Sequence, residues 1–337
     1  MYAWTLRPLF LIQGRDEVKT LVQVQSLTKH FAASRLWILR TGQVTKAVDD
    51  VSFSIQEGEV FGLVGESGCG KTTTGRLILR LIEPTSGDVF FDGQRITALS
   101  SGELRDYRKQ AQIIFQNPFS SLNPRRSIED ILSDGYDIYG LANSGERRDR
   151  MVALLEKVGL GADALKRYPH QFSGGQRQRI VIARALTVEP KFLVADEPVS
   201  ALDVSIQAQV LNLLRQLQRD LKFTMLLIAH DLRVVYHMSD RIGVMYLGRL
   251  VELANKQELY DHPLHPYTQA LISSAPTMEL GRMGRKAVLK GEVWNRMPPP
   301  GGCVFYPRCP IATEECKRTL PTLEAKGQDH SVACIRV

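Results

Sequence analysis

The residues best suited to chemistry are eight consecutive positions in which glycines surround a lysine and a threonine. They match the P-loop pattern G-x-x-x-x-G-K-S/T. In order, they are Gly65, Glu66, Ser67, Gly68, Cys69, Gly70, Lys71 and Thr72. Closely spaced glycines let the backbone turn several N–H groups toward phosphate oxygens. Lys71 supplies a charge for the β- and γ-phosphates, and the Thr72 hydroxyl supplies an oxygen ligand for Mg²⁺.

The elements on either side of this loop fit a phosphate site. An apolar run at residues 60–64 predicts a buried strand, and residues 73–82 predict a helix. The start of that helix would add unpaired N–H groups and the positive end of its dipole. The alternative is a glycine-rich turn that binds nothing, and the strand-to-helix context favours nucleotide binding.

Two further apolar runs end in polar side chains that could take part in catalysis. Residues 191–195 predict a buried strand that delivers Asp196 and Glu197, and residues 224–229 predict another that delivers His230. The aspartate is suited to hold Mg²⁺, and the glutamate to polarise an attacking water. The alternatives are a solvated strand end for the two acids and a structural role for the histidine.

Three weaker features remain open at this point. Gln116 follows a predicted buried strand and is either a loop residue or a ligand contact. Phe31 is either a core residue or a surface on which a nucleotide base stacks. Ser173, Gly174, Gly175 and Gln176 begin a helix, which is either an ordinary capped helix or a second anion site.

The 337-residue chain is long enough for about two domains. Its net charge of +7 is spread over short basic clusters, so we expect a solvated surface and no nucleic-acid partner. No apolar stretch approaches the ~20 residues that a membrane helix requires, and no secretion signal is evident. We therefore expect a cytoplasmic protein in which residues 1–19 form an N-terminal arm of unknown role.

The ordered set of motifs resembles the ATP-binding subunit of ABC transporters over residues 20 to 337. The resemblance implies an α/β fold: a P-loop ABC ATPase core with a mixed sheet, a helical subdomain and a small C-terminal extension that contains cysteines. The implied domains are the ATPase domain at 20–260, with the helical subdomain at approximately 120–188, and the extension at 261–337. Residues 265–271 and the tail cysteines resemble the oligopeptide/dipeptide importer branch, which also serves nickel and opines.

The resemblance also implies a role for each motif. Phe31 would stack on adenine, Gln116 would contact Mg²⁺ and sense the membrane subunits, and His230 would lie near the γ-phosphate. Residues 173–176 match the ABC signature, and Asp203 lies in the segment called the D-loop. The implied catalytic residues are Lys71, Gln116, Glu197 and His230, and the implied Mg²⁺ ligands are Thr72, Gln116 and Asp196. The implied nucleotide-binding set is Phe31, Gly65, Glu66, Ser67, Gly68, Cys69, Gly70, Lys71, Thr72, Thr73, Gln116, Ser173, Gly174, Gly175, Gln176, Asp196 and Asp203.

These roles imply a particular assembly. The P-loop covers one side of the triphosphate, and the signature of a second ATPase subunit, identical or paralogous, would cover the other. ATP would close this dimer and hydrolysis would open it, driving two membrane-spanning permease subunits that receive solute from an extracellular or periplasmic solute-binding protein. The expected location is the cytoplasmic face of the inner membrane.

Four of the five cysteines crowd the tail with the spacing Cys-x5-Cys-x6-Cys-x17-Cys. Four thiolates suit zinc or an iron–sulfur cluster, and standard ferredoxin spacings do not match. The branch resemblance implies a 4Fe–4S cluster, with Zn²⁺ as the alternative and four unligated thiols as the third interpretation. The residues concerned are Cys303, Cys309, Cys316 and Cys334.

Two other functions compete with transport. The first is an ABC ATPase that acts on nucleic acid or ribosomes, although such proteins more often carry two nucleotide domains or long coiled-coil arms. The second is a regulatory subunit that binds ATP without turnover, which Glu197 and His230 argue against. The cargo cannot be read from this chain, because the ATPase subunit would not touch it.

Overall fold

A computed structural model describes residues 19–32, 44–274, 299–327 and 329–337. The predicted arm lies outside the described residues except for Lys19 at its end. In the described ranges, no helix is long and apolar enough to cross a membrane.

Within these described ranges, the strands form two sheets. The smaller sheet is antiparallel, in the order β2-β1-β4-β5. Its strands are β1 (Thr20–Ala32), β2 (Val44–Gln56), β4 (Ser86–Phe91) and β5 (Gln94–Arg95). The larger sheet has the order β11-β12-β10-β9-β3-β8-β7-β6, with parallel pairing from β9 through β6. Its strands are β3 (Val60–Val64), β6 (Ala111–Ile114), β7 (Phe192–Asp196), β8 (Thr224–Ala229), β9 (Arg241–Tyr246), β10 (Arg249–Asn255), β11 (Glu324–Gly327) and β12 (His330–Val332).

The central parallel strands are buried along their whole length. Every residue of β3, β7 and β8 is buried, which explains why each strand is mainly apolar and does not alternate with polar residues. The sheet therefore needs cover on both faces. One apolar core lies between it and the smaller sheet, and another lies between it and the long helical segment. The predicted mixed sheet is confirmed.

The segment between β6 and β7 contains four α-helices joined by turns and short 3₁₀ helices, as expected for a predicted helical subdomain. The signature lies at the start of the last of these helices, α6. The α-helices of the described residues are α1 (Lys71–Ile78), α2 (Ser101–Gln110), α3 (Pro118–Ser121), α4 (Ile128–Tyr139), α5 (Ser144–Lys157), α6 (Gly174–Leu186), α7 (Val204–Leu221), α8 (Leu232–Met238), α9 (Lys256–Asp261) and α10 (Pro266–Ser274).

Strand β1 differs from what its sequence predicts. Apolar and polar residues alternate at 21–27, a pattern that predicts an edge strand, whereas β1 lies inside its sheet, with β2 on one side and β4 on the other. Alternation reports that one face of a strand is buried, and it does not report how many neighbours the strand has.

The cysteine-bearing tail joins the core through a buried carboxylate. Strand β12 pairs with β10, so residues 330–332 extend the sheet that carries the P-loop. Glu252 of β10 is fully buried. Its carboxylate accepts hydrogen bonds from the backbone N–H groups of Leu264 and His265, at 2.7 and 2.9 Å, and lies 2.7 Å from the ring Nε2 of His330. These three partners satisfy the buried Glu252 carboxylate. Removing one of them would leave part of the carboxylate without a hydrogen bond, which would destabilise the fold.

His265 begins the helix that follows this anchor. Its ring nitrogen Nδ1 accepts a hydrogen bond from the backbone N–H of Tyr267 at 3.0 Å, which caps α10. The side chain is buried, and burial lowers its pKa from 6.5 to about 4. His265 is therefore neutral in the folded protein at neutral pH.

This histidine should make the fold acid-sensitive. Its pKa is depressed in the folded state, so its stabilising contribution is complete above pH 6.5 and is lost as pH falls toward 4. The loss should reach about 1.4 kcal/mol per pH unit over that window. His265→Asn keeps an acceptor for the helix cap but does not titrate. Between pH 7.5 and 5, the unfolding free energy measured with urea should therefore fall more in the wild-type protein than in this variant. Equal decreases would contradict the prediction.

Candidate functional site

The P-loop connects the end of β3 to the start of α1, as predicted. Gly68 and Gly70 adopt left-handed conformations, with φ of 80° and 109°. The loop also packs tightly against its surroundings. A Cβ on Gly70 would lie 2.2 Å from the carbonyl oxygen of Ala47, and one on Gly65 would lie 2.2 Å from that of Met245. Glycine is therefore required here both for conformation and for space.

Lys71 lies inside the turn of the loop. Its side chain is 4% exposed, and its ammonium donates hydrogen bonds to the carbonyl oxygens of Gly65 at 2.7 Å and Glu66 at 3.0 Å. Cys69 is also buried, and burial raises the pKa of its thiol. Thr73 is half-buried in the first turn of α1. The loop thus holds one positive charge at its centre.

Thr72 and Asp196 meet at the carboxyl edge of the sheet. The Thr72 hydroxyl donates a hydrogen bond of 2.8 Å to the Asp196 carboxylate, which is 2% exposed. Burial raises the pKa of Asp196, and the hydrogen bond from Thr72 opposes that rise. A hydroxyl and a carboxylate are the oxygen ligands that Mg²⁺ prefers, so this pair fits a magnesium ion.

Glu197 is bonded to two of the predicted catalytic residues. The Gln116 amide donates a hydrogen bond of 2.8 Å to the Glu197 carboxylate, and the His230 ring nitrogen Nδ1 lies 3.3 Å from the same oxygen. These three side chains and Ser67 of the P-loop line an open cleft of about 520 Å³. The structure therefore brings together residues from four separate parts of the sequence.

The backbone at Glu197 is strained. Its φ of 46° is left-handed, which costs a residue with a side chain of order 1–3 kcal/mol. Its backbone N–H donates to the carbonyl oxygen of Ile228 at 2.9 Å, which ties this conformation to β8. Such strain is typical of functional residues that the surrounding fold holds in place.

The signature residues lie apart from this cleft. Ser173 caps α6, because its hydroxyl accepts from the Gln176 N–H at 3.3 Å and the Gln176 amide oxygen accepts from the Ser173 N–H at 3.0 Å. A Cβ on Gly175 would lie 2.6 Å from the Ile206 side chain, so the starts of α6 and α7 are in close contact. Ser173 and Gln176 are exposed, and Gly174 and Gly175 are partly exposed. The described residues that line the cleft include none of the four.

Phe31 and Asp203 are also exposed. The Phe31 ring is 43% exposed, and the Lys29 ammonium lies 5.2 Å from its centre. This exposure excludes the alternative of a buried core residue. Asp203 precedes α7 with an exposed side chain that makes no capping hydrogen bond. Both side chains therefore lie on the surface, where a ligand or another subunit can reach them.

Sequence reasoning missed two tail residues that contact the P-loop. Arg308 donates two hydrogen bonds to the Glu66 carboxylate, at 2.8 and 3.0 Å, and the Tyr267 hydroxyl accepts one from the Glu66 N–H at 2.9 Å. Arg308 precedes Cys309 in the sequence, in a segment whose visible pattern is the spacing of its cysteines. No local pattern indicates a partner 242 residues away.

The four tail cysteines are free thiols, and the Cys316 sulfur lies 3.3 Å from the Thr313 hydroxyl. The Cys303 N–H donates to the Cys316 carbonyl oxygen at 2.8 Å, which fixes the spacing of these two backbones. Burial raises the pKa of Cys303, and it raises that of Cys309 to about 11. In the described ranges, no group of three or more histidine, cysteine or acidic side chains is arranged to hold a metal ion. The predicted cluster or zinc site therefore gains no support from this geometry.

Comparisons with known proteins agree with the fold and the motifs. Residues 48–200 match the ABC transporter family, and residues 251–316 match the family described as the oligopeptide/dipeptide transporter C-terminal region. The oligopeptide transport ATP-binding protein AppF of Bacillus subtilis is 51% identical over 320 residues, covering 94% of this chain and 97% of AppF.

Solved structures give the same result. A dimeric post-hydrolysis structure of the ATP-binding cassette MJ0796, bound to ADP and phosphate, has a TM-score of 0.62 and 28% identity, covering 70% of this chain and 99% of that one. CbiO1 of Clostridium perfringens, part of the CbiONQ transporter complex, has a TM-score of 0.63 and 27% identity, covering 72% and 92%.

The fold, together with the P-loop and the polar residues at the carboxyl ends of β3, β7 and β8, defines a P-loop ATPase of the ABC class. Within that class, the chain belongs to the family of ATP-binding subunits of ABC transporters that carry the oligopeptide/dipeptide C-terminal region. The resemblance recognised in the sequence is confirmed, and the protein is an ATP hydrolase that uses ATP and Mg²⁺.

Two glycines offer a matched test of the P-loop geometry. Gly93 has φ of 81°, and a Cβ there would meet nothing within 4 Å, whereas a Cβ on Gly70 meets backbone. Gly93→Ala should therefore cost only the left-handed strain, about 1–2 kcal/mol of unfolding free energy. Gly70→Ala should cost more and should also abolish ATP binding. Urea unfolding and ATP titration measure both effects, and equal losses of stability would contradict the steric argument.

Proposed function

We propose that this chain hydrolyses ATP at the P-loop edge and thereby powers the import of peptides by an ABC transporter. The observation that carries the proposal is the convergence of Lys71, the Thr72–Asp196 pair and the Glu197–Gln116–His230 group at one sheet edge. Such an edge offers a phosphate cradle, oxygen ligands for a cation and a base, which is what phosphoryl transfer to water requires.

Each side chain has a distinct role in this proposal. Lys71 leaves its carbonyl partners to meet the β- and γ-phosphates, and the backbone N–H groups of the loop hold the same oxygens. Thr72, Asp196 and the Gln116 amide oxygen would hold Mg²⁺, which when bound would supply positive charge against the phosphates. Ser67, Gly68 and Cys69 belong to the turn that supplies N–H groups.

The residues that line the cleft act on the water molecule that attacks the γ-phosphate. The Glu197 carboxylate orients a water molecule in line with the γ-phosphate and accepts its proton. Gln116 and His230 hold the same carboxylate oxygen of Glu197, so they fix its direction. His230 also steadies the charge that develops on the γ-phosphate. Phe31, with its exposed ring, offers a face on which adenine can stack.

Dimerisation completes the site in this proposal. The signature residues 173–176 are capped, solvent-accessible and outside the cleft, which supports a role toward nucleotide held by another subunit. Asp203 immediately precedes α7, whose Ile206 contacts Gly175 at the start of α6. The dimeric structures of MJ0796 support this arrangement. ATP would stabilise the closed pair, and loss of the γ-phosphate would let it open.

The proposed partners follow from the family. They are a second ATPase subunit, two membrane-spanning permease subunits and, indirectly, a solute-binding protein outside the cell. The place of action is the cytoplasmic face of the inner membrane. AppF, which is 51% identical to this chain, is an oligopeptide transport ATP-binding protein, and this supports peptides as the cargo class. We also propose an ATPase domain at 20–260, with its helical part at about 120–188, and an extension at 261–337.

We keep a metal at the tail thiols as a separate proposal. It rests on four thiols in one short segment and on the family to which the segment belongs. The raised pKa values of Cys303 and Cys309 mean that both thiols are protonated near neutral pH unless a cation draws the protons off. The cluster has no part in the ATP chemistry proposed above.

Glu197→Gln separates binding from turnover. The amide keeps the shape of the side chain and cannot accept a proton, so phosphate release should fall at least about a hundredfold while ATP binding and ATP-induced dimerisation persist. Lys71→Ala is the contrasting variant, because it should lose ATP binding itself. Phosphate release, nucleotide titration and size-exclusion chromatography with ATP give the three readouts. Normal turnover in Glu197→Gln would overturn the assignment.

Elemental analysis tests the tail. Protein purified without oxygen should contain iron and sulfide, about four of each per chain for a 4Fe–4S cluster, or about one zinc. A protein in which Cys303 and Cys309 are both replaced by serine should lose that metal while retaining ATP binding. Iron, sulfide and zinc all absent from the wild-type protein would leave four unligated thiols as the correct interpretation.

A further inference from the structure

The C-terminal extension holds the P-loop directly. Arg308 lies in the extension between two of the cysteines, and its side chain is 5% exposed. Its guanidinium donates one hydrogen bond to each oxygen of the Glu66 carboxylate, at 2.8 and 3.0 Å. Glu66 is the second residue of the P-loop. This is a bidentate ion pair, the strongest arrangement available to these side chains.

Aromatic residues fix the arginine in place. The Tyr246 hydroxyl accepts a further hydrogen bond from Arg308 at 3.4 Å, and the guanidinium lies 5.7 Å from the centre of the Tyr246 ring. Tyr246, Tyr267 and Phe305 pack on one another with ring centres 4.7 to 5.5 Å apart. Because the arginine side chain is 5% exposed and lies against the Tyr246 ring, its charge is poorly screened by solvent.

The extension contacts Glu66 through both its side chain and its backbone. Arg308 holds the carboxylate, and the Tyr267 hydroxyl accepts a hydrogen bond from the backbone N–H of Glu66 at 2.9 Å. The Glu66 carbonyl oxygen in turn accepts a hydrogen bond from Lys71. A continuous path therefore runs from the tail arginine, through Glu66, to the lysine of the P-loop.

The pair also solves an electrostatic problem at the site. A carboxylate in the P-loop would repel the triphosphate that the loop must bind, because like charges repel. Arg308 donates a hydrogen bond to each oxygen of that carboxylate and so offsets its charge on the side of the tail. With that charge offset, Glu66 adds no uncompensated anion to the loop.

We propose that Arg308 is a positioning residue for ATP binding, acting through Glu66 to neutralise and orient the P-loop. The inference rests on the proposed ATP site, and it adds a role for the extension within its own subunit. The extension would then help determine ATP affinity as well as carry the four cysteines.

A simpler role for Arg308 is to fasten the tail, with no effect on the loop. The two roles differ in how they depend on Glu66. If Arg308 acts through the carboxylate, its loss should weaken ATP binding only when the carboxylate is present. If it only fastens the tail, its loss should have the same effect whatever stands at position 66. A double-mutant cycle separates them.

The experiment compares full-length wild-type protein with Arg308→Gln, Glu66→Gln and the double variant. Arg308→Gln should raise the ATP dissociation constant and the KM for ATP about tenfold, with kcat at saturating ATP within about twofold of wild type. In the Glu66→Gln background, the same change should raise both constants by less than about threefold. Arg308→Lys, which keeps the charge, should recover part of the affinity.

Lys317→Gln is the matched control, because Lys317 lies in the same extension and pairs with Glu314 at 3.9 Å on the exposed surface. It should bind ATP as wild type does. Thermal unfolding of each variant identifies any that fails to fold. If Arg308→Gln is such a variant, Arg308→Lys is compared in the two backgrounds in its place.

Two results would overturn the proposal. One is wild-type ATP affinity in the folded Arg308 variant, and the other is an equal loss of affinity with and without the Glu66 carboxylate. Failure of the proposed function itself is distinguishable, because wild-type protein would then release no phosphate from ATP in the same assay.

Discussion

The site depends on parallel pairing of three buried strands. Val64 at the end of β3 pairs with Ala229 at the end of β8, and Asp196 at the end of β7 pairs with Ile228. This register places the next residues of the three strands, which begin with Gly65, Glu197 and His230, at one edge. A slip by one residue would send each side chain to the opposite face of the sheet. Complete burial of these strands makes such a slip costly, so the hydrophobic core fixes the geometry of the polar edge.

At that edge, charged groups are held in places where water is largely excluded. Lys71 and Asp196 are both almost fully buried, and each is satisfied by neighbouring oxygen or hydroxyl groups. Buried charges with fixed partners are preorganised, because little rearrangement of solvent is required when substrate arrives. Glu197 adds backbone strain to this arrangement. Part of the folding free energy is therefore used to hold catalytic groups in position.

Local features of the fold could be predicted from the sequence, and distant contacts could not. The P-loop, β7 with its two acids and β8 with its histidine follow from apolar runs that end in polar residues. The interior position of β1 could not be predicted, because alternation does not count neighbours. The pairing of Arg308 with Glu66 joins residues 242 positions apart. Arg308 also contacts Tyr246, whose ring packs on Tyr267 and Phe305, and such packing leaves no periodic signal in the tail.

The position of β12 has a consequence for how the protein is made. Strand β10 has two neighbours in the sheet, and one of them is β12 at residues 330–332. His330 of β12 is also a partner of the Glu252 carboxylate. Translation delivers these residues long after the P-loop strand has emerged. Until then, the nascent chain presents an unpaired strand edge and an incompletely satisfied buried acid, both of which favour pairing with other chains. Chaperones and proteases would therefore matter most for the nascent chain before β12 pairs with β10.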